Sequence, residues 1–359
     1  MKAALISLGS TSSILTAAAM KKYFAQVDQL QLKNVEIRFG KEAGIFYEGQ
    51  PFGQYDCVYV KGSFRYANLL RSLATLLEKN TAYMPLSGTA FTLTHNKLLT
   101  HLLLQQHNIP MPRTYLSSTV DAAKALLQRV SFPIVMKFPE GTQGKGVMFA
   151  DSLGSALSLL DALGALNQPF LIQEYVETEG TDIRALVAGE KVVAAMRRRA
   201  QKEEKRANIH VGGIGEPVQL TREVMKIAVA TAKALQADIC GVDILEGAVG
   251  PLVIEANVSP GLQELSKVST LDVADELARF LARKTEERLG QQSHQAAAQV
   301  MKVLTVNEEN TLGQEIITTL QFRGEKVILP ELITKMARLS DGKEYVIRAQ
   351  KGKVEIEEI

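Results

Sequence analysis

The sequence predicts a mixed α/β and α+β chain built in several lobes, with a small β-rich module at its C-terminal end. Three observations carry that expectation. Short apolar runs alternate with segments of helical period from the first residues to about residue 175, the order that builds a helix-covered parallel sheet and then a smaller α/β unit. The 359 residues are 46% hydrophobic and 22% charged, enough apolar side chains for two or three cores at roughly 100–200 residues per domain. Residues 290–300 are small and polar and read as a linker, so a separate module should follow them.

Taken in order, Met1–Leu8 reads as a buried strand, Gly9–Ser13 as a turn, and Ser13–Phe24 as a helix. The apolar start imitates a secretory signal, but Gly9-Ser-Thr-Ser-Ser13 breaks it too early. Val35–Phe39 and Tyr55–Lys61 are expected as further strands of one parallel sheet, with Tyr66–Lys79 a covering helix. The run Asn96–His107 is apolar at helical spacing and is stopped by Ile109-Pro-Met-Pro112. A second unit follows: a short strand near 114, helix Thr119–Gln128, strand Ile134–Phe138, a glycine loop, strand Gly146–Ala150, helix Ser152–Asn167 and strand Phe170–Tyr175. Strands return at Ile183–Val187 and Lys191–Met196, then a helix over 221–236, strands over 239–245 and 250–256, and a helix over 270–289 opened by Ser269-Thr-Leu-Asp272. The tail should hold strands at Met301–Val306, Glu325–Leu329, Glu344–Arg348 and Lys353–Ile356 and one helix over Pro330–Leu339. The expected domains are therefore 1–92, 93–177 and 178–289, a linker over 290–300, and an extension over 301–359.

Composition also excludes some classes of function. Forty-one Lys and Arg against thirty-nine Asp and Glu leave a charge of +2, so the chain has no overall field that would recruit nucleic acid or an anionic membrane. No apolar run reaches the roughly 18 residues of a membrane span. Cys57 and Cys240 sit in apolar strand-like runs without paired spacing, which reads as two buried thiols in a reducing, cytoplasmic compartment.

Two stretches carry chemistry. Glu140-Gly-Thr-Gln-Gly-Lys-Gly146 joins two strands, and Lys137 ends the first of them. Gly141, Gly144 and Gly146 let the backbone turn tightly and aim amides at phosphate oxygens, and a lysine beside them adds a fixed positive charge. It is no Walker loop, because no Gly-Lys-Ser/Thr opens a helix. In the second stretch, Gly241-Val-Asp243-Ile and Leu252-Val-Ile-Glu255-Ala-Asn257 form an expected antiparallel pair. There Asp243 can lie opposite Glu255, and Asn257 shares a face with Glu255. Three hard oxygen donors then converge, a set that suits magnesium completed by nucleotide phosphates. Both acids sit in apolar runs, where burial without a cation would be costly. Gln173-Glu174-Tyr175 ends a strand at a subdomain junction. In the charged run 197–213, Arg206 and Asn208 precede a glycine pair and are the better site candidates, while Gln201–Lys205 reads as a solvated loop.

Together with Lys97, Asp182-Ile-Arg184 and Arg206-Ala207-Asn208-Ile-His210, these motifs stand in the order and spacing of the ATP-grasp carboxylate–amine ligases. The chain most resembles the RimK branch, which adds glutamate to the C-terminus of a ribosomal protein or related acceptors. The resemblance covers residues 1 to about 288 and implies an ATP-grasp fold, a preATP-grasp domain followed by two subdomains that hold ATP between them. It implies that Lys97, Lys137 and the loop Gly141, Thr142, Gln143, Gly144, Lys145 and Gly146 hold the phosphates. Glu174 and Tyr175 would meet adenine, Asp182 the ribose side, and Arg206, Ala207 and Asn208 the γ-phosphate end. Asp243, Glu255 and Asn257 would hold two magnesium or manganese ions, and Arg206, Asn208 and Lys137 would act in catalysis. The implied reaction phosphorylates a carboxylate with ATP and lets an amine, that of glutamate, attack the acyl phosphate. The acceptor would be a peptide, a protein or a small molecule.

The chain departs from the family where a Pro-Arg-Ile-Gly turn is usual and Val60-Lys61-Gly62-Ser63 stands instead. Lysine is not equivalent to arginine as a carboxylate binder, so the substrate pocket is expected to differ there. The tail resembles AbrB-type swapped hairpins, modules that dimerise and in some cases bind DNA. Its nine Lys and Arg against ten Asp and Glu offer no phosphate-binding face, so the implied role is formation of a homo-oligomer. Two alternatives stand beside the main reading: a ligase of amino-acid or cofactor biosynthesis acting on a carrier protein, pterin or deazaflavin, and an ATP-binding regulator whose tail contacts DNA.

Overall fold

The computed structural model describes residues 1–117, 119–139, 146–165, 169–200, 214–309, 321–324, 326–329, 331–337, 339–351 and 353–358. β1 (Lys2–Ser7) leads through a serine turn into α1 (Thr11–Met20), whose N-terminus is capped by the Ser10 hydroxyl accepting from the Ser13 amide. β2 (Gln26–Gln31) returns parallel to β1. β3 (Val35–Arg38), β4 (Gly44–Tyr47) and β5 (Gln50–Pro51) form a separate antiparallel sheet, and β6 (Cys57–Val60) then pairs with the other side of β1. The expectation that 35–39 belongs to the parallel sheet is thus corrected, since Gln26–Gln31 takes that place. As an edge strand, β2 is covered on one side only, and its polar sequence Gln-Val-Asp-Gln-Leu-Gln hid it from a search for apolar runs.

α2 (Ala67–Leu77) buries Leu70, Leu73, Ala74 and Leu77, the i, i+3, i+4, i+7 stripe of a helix lying on a core. α3 (Gly88–His95) and α4 (Lys97–Gln106) are capped by Ser87 and Asn96, and Asn108 in the left-handed region turns the chain out of α4 ahead of Pro110 and Pro112. The next lobe runs β7 (Thr114–Tyr115), α5 (Val120–Leu127), β8 (Ile134–Lys137), β9 (Val147–Ala150), α6 (Leu153–Ala165) and β10 (Leu171–Glu174). Its four strands form an antiparallel sheet ordered β7-β10-β8-β9. Ile134, Met136, Leu160, Leu163 and Ile172 belong to a core of its own.

A five-stranded antiparallel sheet follows, ordered β13-β12-β11-β14-β15. It comprises β11 (Thr181–Ala188), β12 (Lys191–Arg199), β13 (Ile214–Pro217), β14 (Ile239–Gly247) and β15 (Gly250–Asn257). α7 (Arg222–Ala234) packs on it, and α8 (Gln263–Val268) and the first part of α9 (Val273–Glu309), as far as His294, complete the unit. Leu5 and Tyr59 of the first sheet share one continuous core with Leu186, Val242, Leu277 and Leu281.

The chain divides into two compact units, Met1–His294 and Gln295–Ile359. Residues 290–300, expected as a linker, and 301–306, expected as a strand, are both helical, because α9 continues to Glu309. Ala296–Ala298 with Gln, Met, Lys and Leu around them are strong helix formers, which outweighs the lone Gly290. Beyond them lie two hairpins, β16 (Gln321–Arg323) with β17 (Lys326–Ile328) and β18 (Tyr345–Gln350) with β19 (Lys353–Glu358), and α10 (Glu331–Met336) between them. Among the described residues no helix is long and apolar enough to cross a membrane.

Candidate active site

The start of α4 and the ends of β8, β10 and β15 open into one cleft of about 530 Å³, with β11, β12 and β14 on its floor and Ser7 and Lys61 on its N-terminal wall. β8 buries Ile134 and Met136, so the alternating residue Lys137 leaves that core face. Its ammonium donates to Gln173 Oε1 at 2.6 Å. Enclosure by protein lowers its pKa to about 8. Gln173 in turn donates through Nε2 to Thr114 Oγ1 at 2.8 Å and to His101 Nε2 at 3.2 Å, while His101 Nδ1 donates to the Lys97 carbonyl at 2.6 Å. A carbonyl only accepts, so a proton is on Nδ1, and Nε2 accepts from the Gln173 amide, which makes the ring neutral, the state that burial also favours. Lys97, the first residue of α4, donates its amide to the Pro139 carbonyl at 3.1 Å and holds its ammonium 4.0 Å from Glu255 Oε1.

The glycine loop springs from a closed neck. The Phe138 amide donates to the Gly146 carbonyl at 3.2 Å, and Gly146 stands at φ +76°, where a Cβ would meet the Phe138 ring at 2.1 Å. Glu140, Gly141, Thr142, Gln143, Gly144 and Lys145 lie outside the described residues, as do Arg206, Ala207 and Asn208.

Asp243 stands opposite Glu255 in the β14/β15 register and opposite Arg184 in the β14/β11 register, so a cation and two acids form one row across three strands. Arg184 grips Asp243 through Nε and Nη2 at 2.8 and 2.7 Å, and Arg198 Nη2 adds a contact at 2.9 Å. Arg198 also closes a fork on Asp182 at 2.5 and 2.7 Å. Burial alone would raise the Asp243 pKa, but the two guanidiniums prevail and hold it at about 2. These arginines offset the Asp243 carboxylate, so its burial by itself does not require a metal ion here, whereas at Asp182 burial prevails over Arg198 and raises the pKa. The donor chemistry still suits magnesium: Glu255 carries a carboxylate, Asn257 an amide oxygen that accepts from the Ser259 amide at 2.8 Å, and Asp243 a second carboxylate. Among the described residues no group of three or more His, Cys, Asp and Glu gathers in a metal-binding arrangement.

The residues assigned to the base and sugar are placed as follows. The Glu174 carboxylate accepts from the Tyr115 hydroxyl at 2.8 Å, and the Glu174 amide donates to the Arg113 carbonyl. The Tyr175 amide donates to the Pro133 carbonyl at 3.2 Å, and its ring meets Phe149 edge-on. Asp182 is buried under Arg198. Sequence reasoning missed Arg198 by ending its strand at Met196. The signal was present, because Ala194, Met196 and Arg198 are buried in strict alternation along β12.

A family model described as the RimK-like ATP-grasp domain matches residues 94–281. A probable alpha-L-glutamate ligase of Aeromonas salmonicida (strain A449) is 38% identical over 246 residues, 68% of this chain and 83% of that protein. A ribosomal protein bS6–L-glutamate ligase of Escherichia coli O7:K1 is 35% identical over 243 residues, 67% of this chain and 81% of that protein. Among solved structures, the ATP-grasp ligase PsnB complexed with minimal precursor, Mg and ADP superposes with a TM-score of 0.62 at 18% identity, covering 79% of this chain and 98% of that one. At that identity the likeness speaks for the fold.

Proposed function

The chain belongs to the RimK-like ATP-grasp family and is an ATP-dependent carboxylate–amine ligase, and from that premise we propose that it adds glutamate to the C-terminal carboxylate of a peptide or protein. ATP would transfer its γ-phosphoryl group to the acceptor carboxylate, releasing ADP. The glutamate amine then attacks the acyl carbon, and phosphate leaves as the amide forms. This chemistry asks the protein for positioning and charge neutralisation more than for acid–base work.

The observation that carries this reading is the meeting of Lys97 and Lys137 with Glu255, Asn257 and Asp243 in one cleft. In our assignment Lys97 and Lys137, with the loop ending at Gly146, take the phosphates. Glu174 and Tyr175 face the adenine, and Asp182 faces the ribose side. Arg206 and Asn208 act at the γ-phosphate. Asp243, Glu255 and Asn257 would hold two magnesium or manganese ions, which when bound neutralise phosphate charge. Arg184 is poised to balance Asp243 whenever that carboxylate is not engaged otherwise. Two free buried thiols fit a cytoplasmic protein, and we assign the tail to self-association.

The test supplies the purified chain with ATP, magnesium, glutamate and a panel of acceptors, both peptides with a free C-terminus and small carboxylates. ADP release should depend on a peptide acceptor, and the product should gain one or more glutamate residues by mass. Glu255→Ala should lower turnover about a hundredfold or more. Unchanged turnover in that variant would refute the metal assignment, and turnover confined to small carboxylates would refute the peptide acceptor.

A further inference from the structure

Lys61 follows the last residue of β6 and is 4% exposed, yet among the described residues its ammonium meets no hydrogen-bond acceptor. The ammonium lies over the Tyr59 ring, 5.5 Å from its centroid. An ammonium brings three donors, and burying all of them without an acceptor is among the costliest arrangements a fold can keep. The backbone is nevertheless held firmly in place. The Lys61 amide donates to the Ile6 carbonyl at 2.8 Å, and the Gly62 amide donates to Ser259 Oγ at 3.0 Å. The Leu262 amide donates to Ser12 Oγ at 2.8 Å, which ties the chain after β15 to the same wall. At Gly62 a Cβ would meet both Leu70 methyls at 2.9 Å, so no side chain fits this turn without repacking. Lys61 is therefore held by its backbone at the wall of the cleft that Glu255 and Asn257 also line, on the N-terminal lobe, whereas Lys97 and Lys137 belong to α4 and β8.

We propose that Lys61 anchors a carboxylate of one of the two substrates joined by the ligase, the incoming amino acid or the acceptor. A buried cation without a partner is completed by an anion delivered from the cleft, and one separate from the two phosphate-facing lysines suits a second anionic group. Ser7, Ser10 and Ser63 line the same cleft. This rests on the ligase reading above, because a ligase of this kind handles two carboxylate-bearing substrates.

The experiment titrates the full chain, loaded with magnesium and a non-hydrolysable ATP analogue, by calorimetry. The ligands are glutamate, its α-amide, its γ-amide, and an acceptor peptide with free or amidated C-terminus. Lys61→Met should weaken one of the carboxylates about 10- to 100-fold and leave the ATP analogue unaffected. In the wild type, amidating that same carboxylate should cost a similar factor, and in the variant it should cost nothing further. The amide that behaves this way identifies the substrate. Unchanged binding in Lys61→Met, an amide penalty that persists in full in the variant, or a wild type that binds none of these ligands overturns the proposal. Lys61→Gln and a thermal melt of each variant separate loss of the anchor from loss of the fold. Binding that depends on Lys61 without turnover on any acceptor would overturn the glutamate-transfer reading and leave the anchor standing.

Discussion

At the scale of single residues the cleft is governed by how each buried charge finds its complement. Asp182, Asp243, Arg184 and Arg198 form a paired set in which each arginine uses two donors on one carboxylate. Breaking such a buried pair by removing one partner costs about 3–5 kcal/mol, because the survivor stays desolvated. Lys61 is the opposite case, a buried ammonium with no acceptor among the described residues, and burial lowers its pKa from 10.5 to about 8. Below pH 8 the folded chain carries that charge at a penalty. Between pH 8 and 10.5 the folded chain releases the proton before the unfolded chain does, so this site adds stability as the pH rises. Lys61→Met should therefore exceed the wild type in stability at pH 7, by up to about 3 kcal/mol, and the gap should close toward pH 10.5. Urea unfolding at the two pH values reads this directly, and a variant less stable at pH 7 would contradict the description of Lys61 as uncompensated.

At the scale of elements, strand alternation decides which side chains reach the cleft. β8 delivers Lys137 because Ile134 and Met136 take the core side. The β14/β15 pair delivers Asp243 and Glu255 because they stand opposite each other. Both placements were legible in the sequence, since period-two patterns and a short turn set a hairpin register locally. Arg198 was legible in principle, in the alternation Ala194, Met196, Arg198, but a run of three arginines reads as solvated when only its charge is weighed. The neck of the glycine loop yields a prediction at this scale. Gly146 combines a left-handed φ with a Phe138 ring where a Cβ would go. Gly146→Ala should therefore destabilise the β8/β9 lobe by about 1–3 kcal/mol and raise the KM for ATP. Wild-type melting together with wild-type KM would show that the ring yields freely.

At the scale of the whole molecule, the first sheet and the five-stranded sheet share a single core, while the lobe built from β7–β10 keeps its own. Every described residue assigned to the site belongs to the unit Met1–His294, and the family match ends at residue 281. A chain cut after His294 should thus keep ADP release within about threefold of the full chain, since the buried face of α9, from Val273 to Thr285, is retained. If the tail drives self-association as we assign it, sedimentation should show the cut chain at a lower mass than a simple loss of residues explains. By itself the sequence determined the order of strands and helices from about residue 96 to 175, the ATP-grasp kinship, and the pairing of Asp243 with Glu255. These depend on local period, on turn residues, and on motifs whose spacing survives along the chain. Only the tertiary structure decided that Gln26–Gln31 and not 35–39 completes the first sheet, that arginines compensate Asp243, and that Lys61 is buried with no acceptor among the described residues. Those outcomes depend on which segments become neighbours across some 16 to 200 residues of chain and on how much water their meeting excludes.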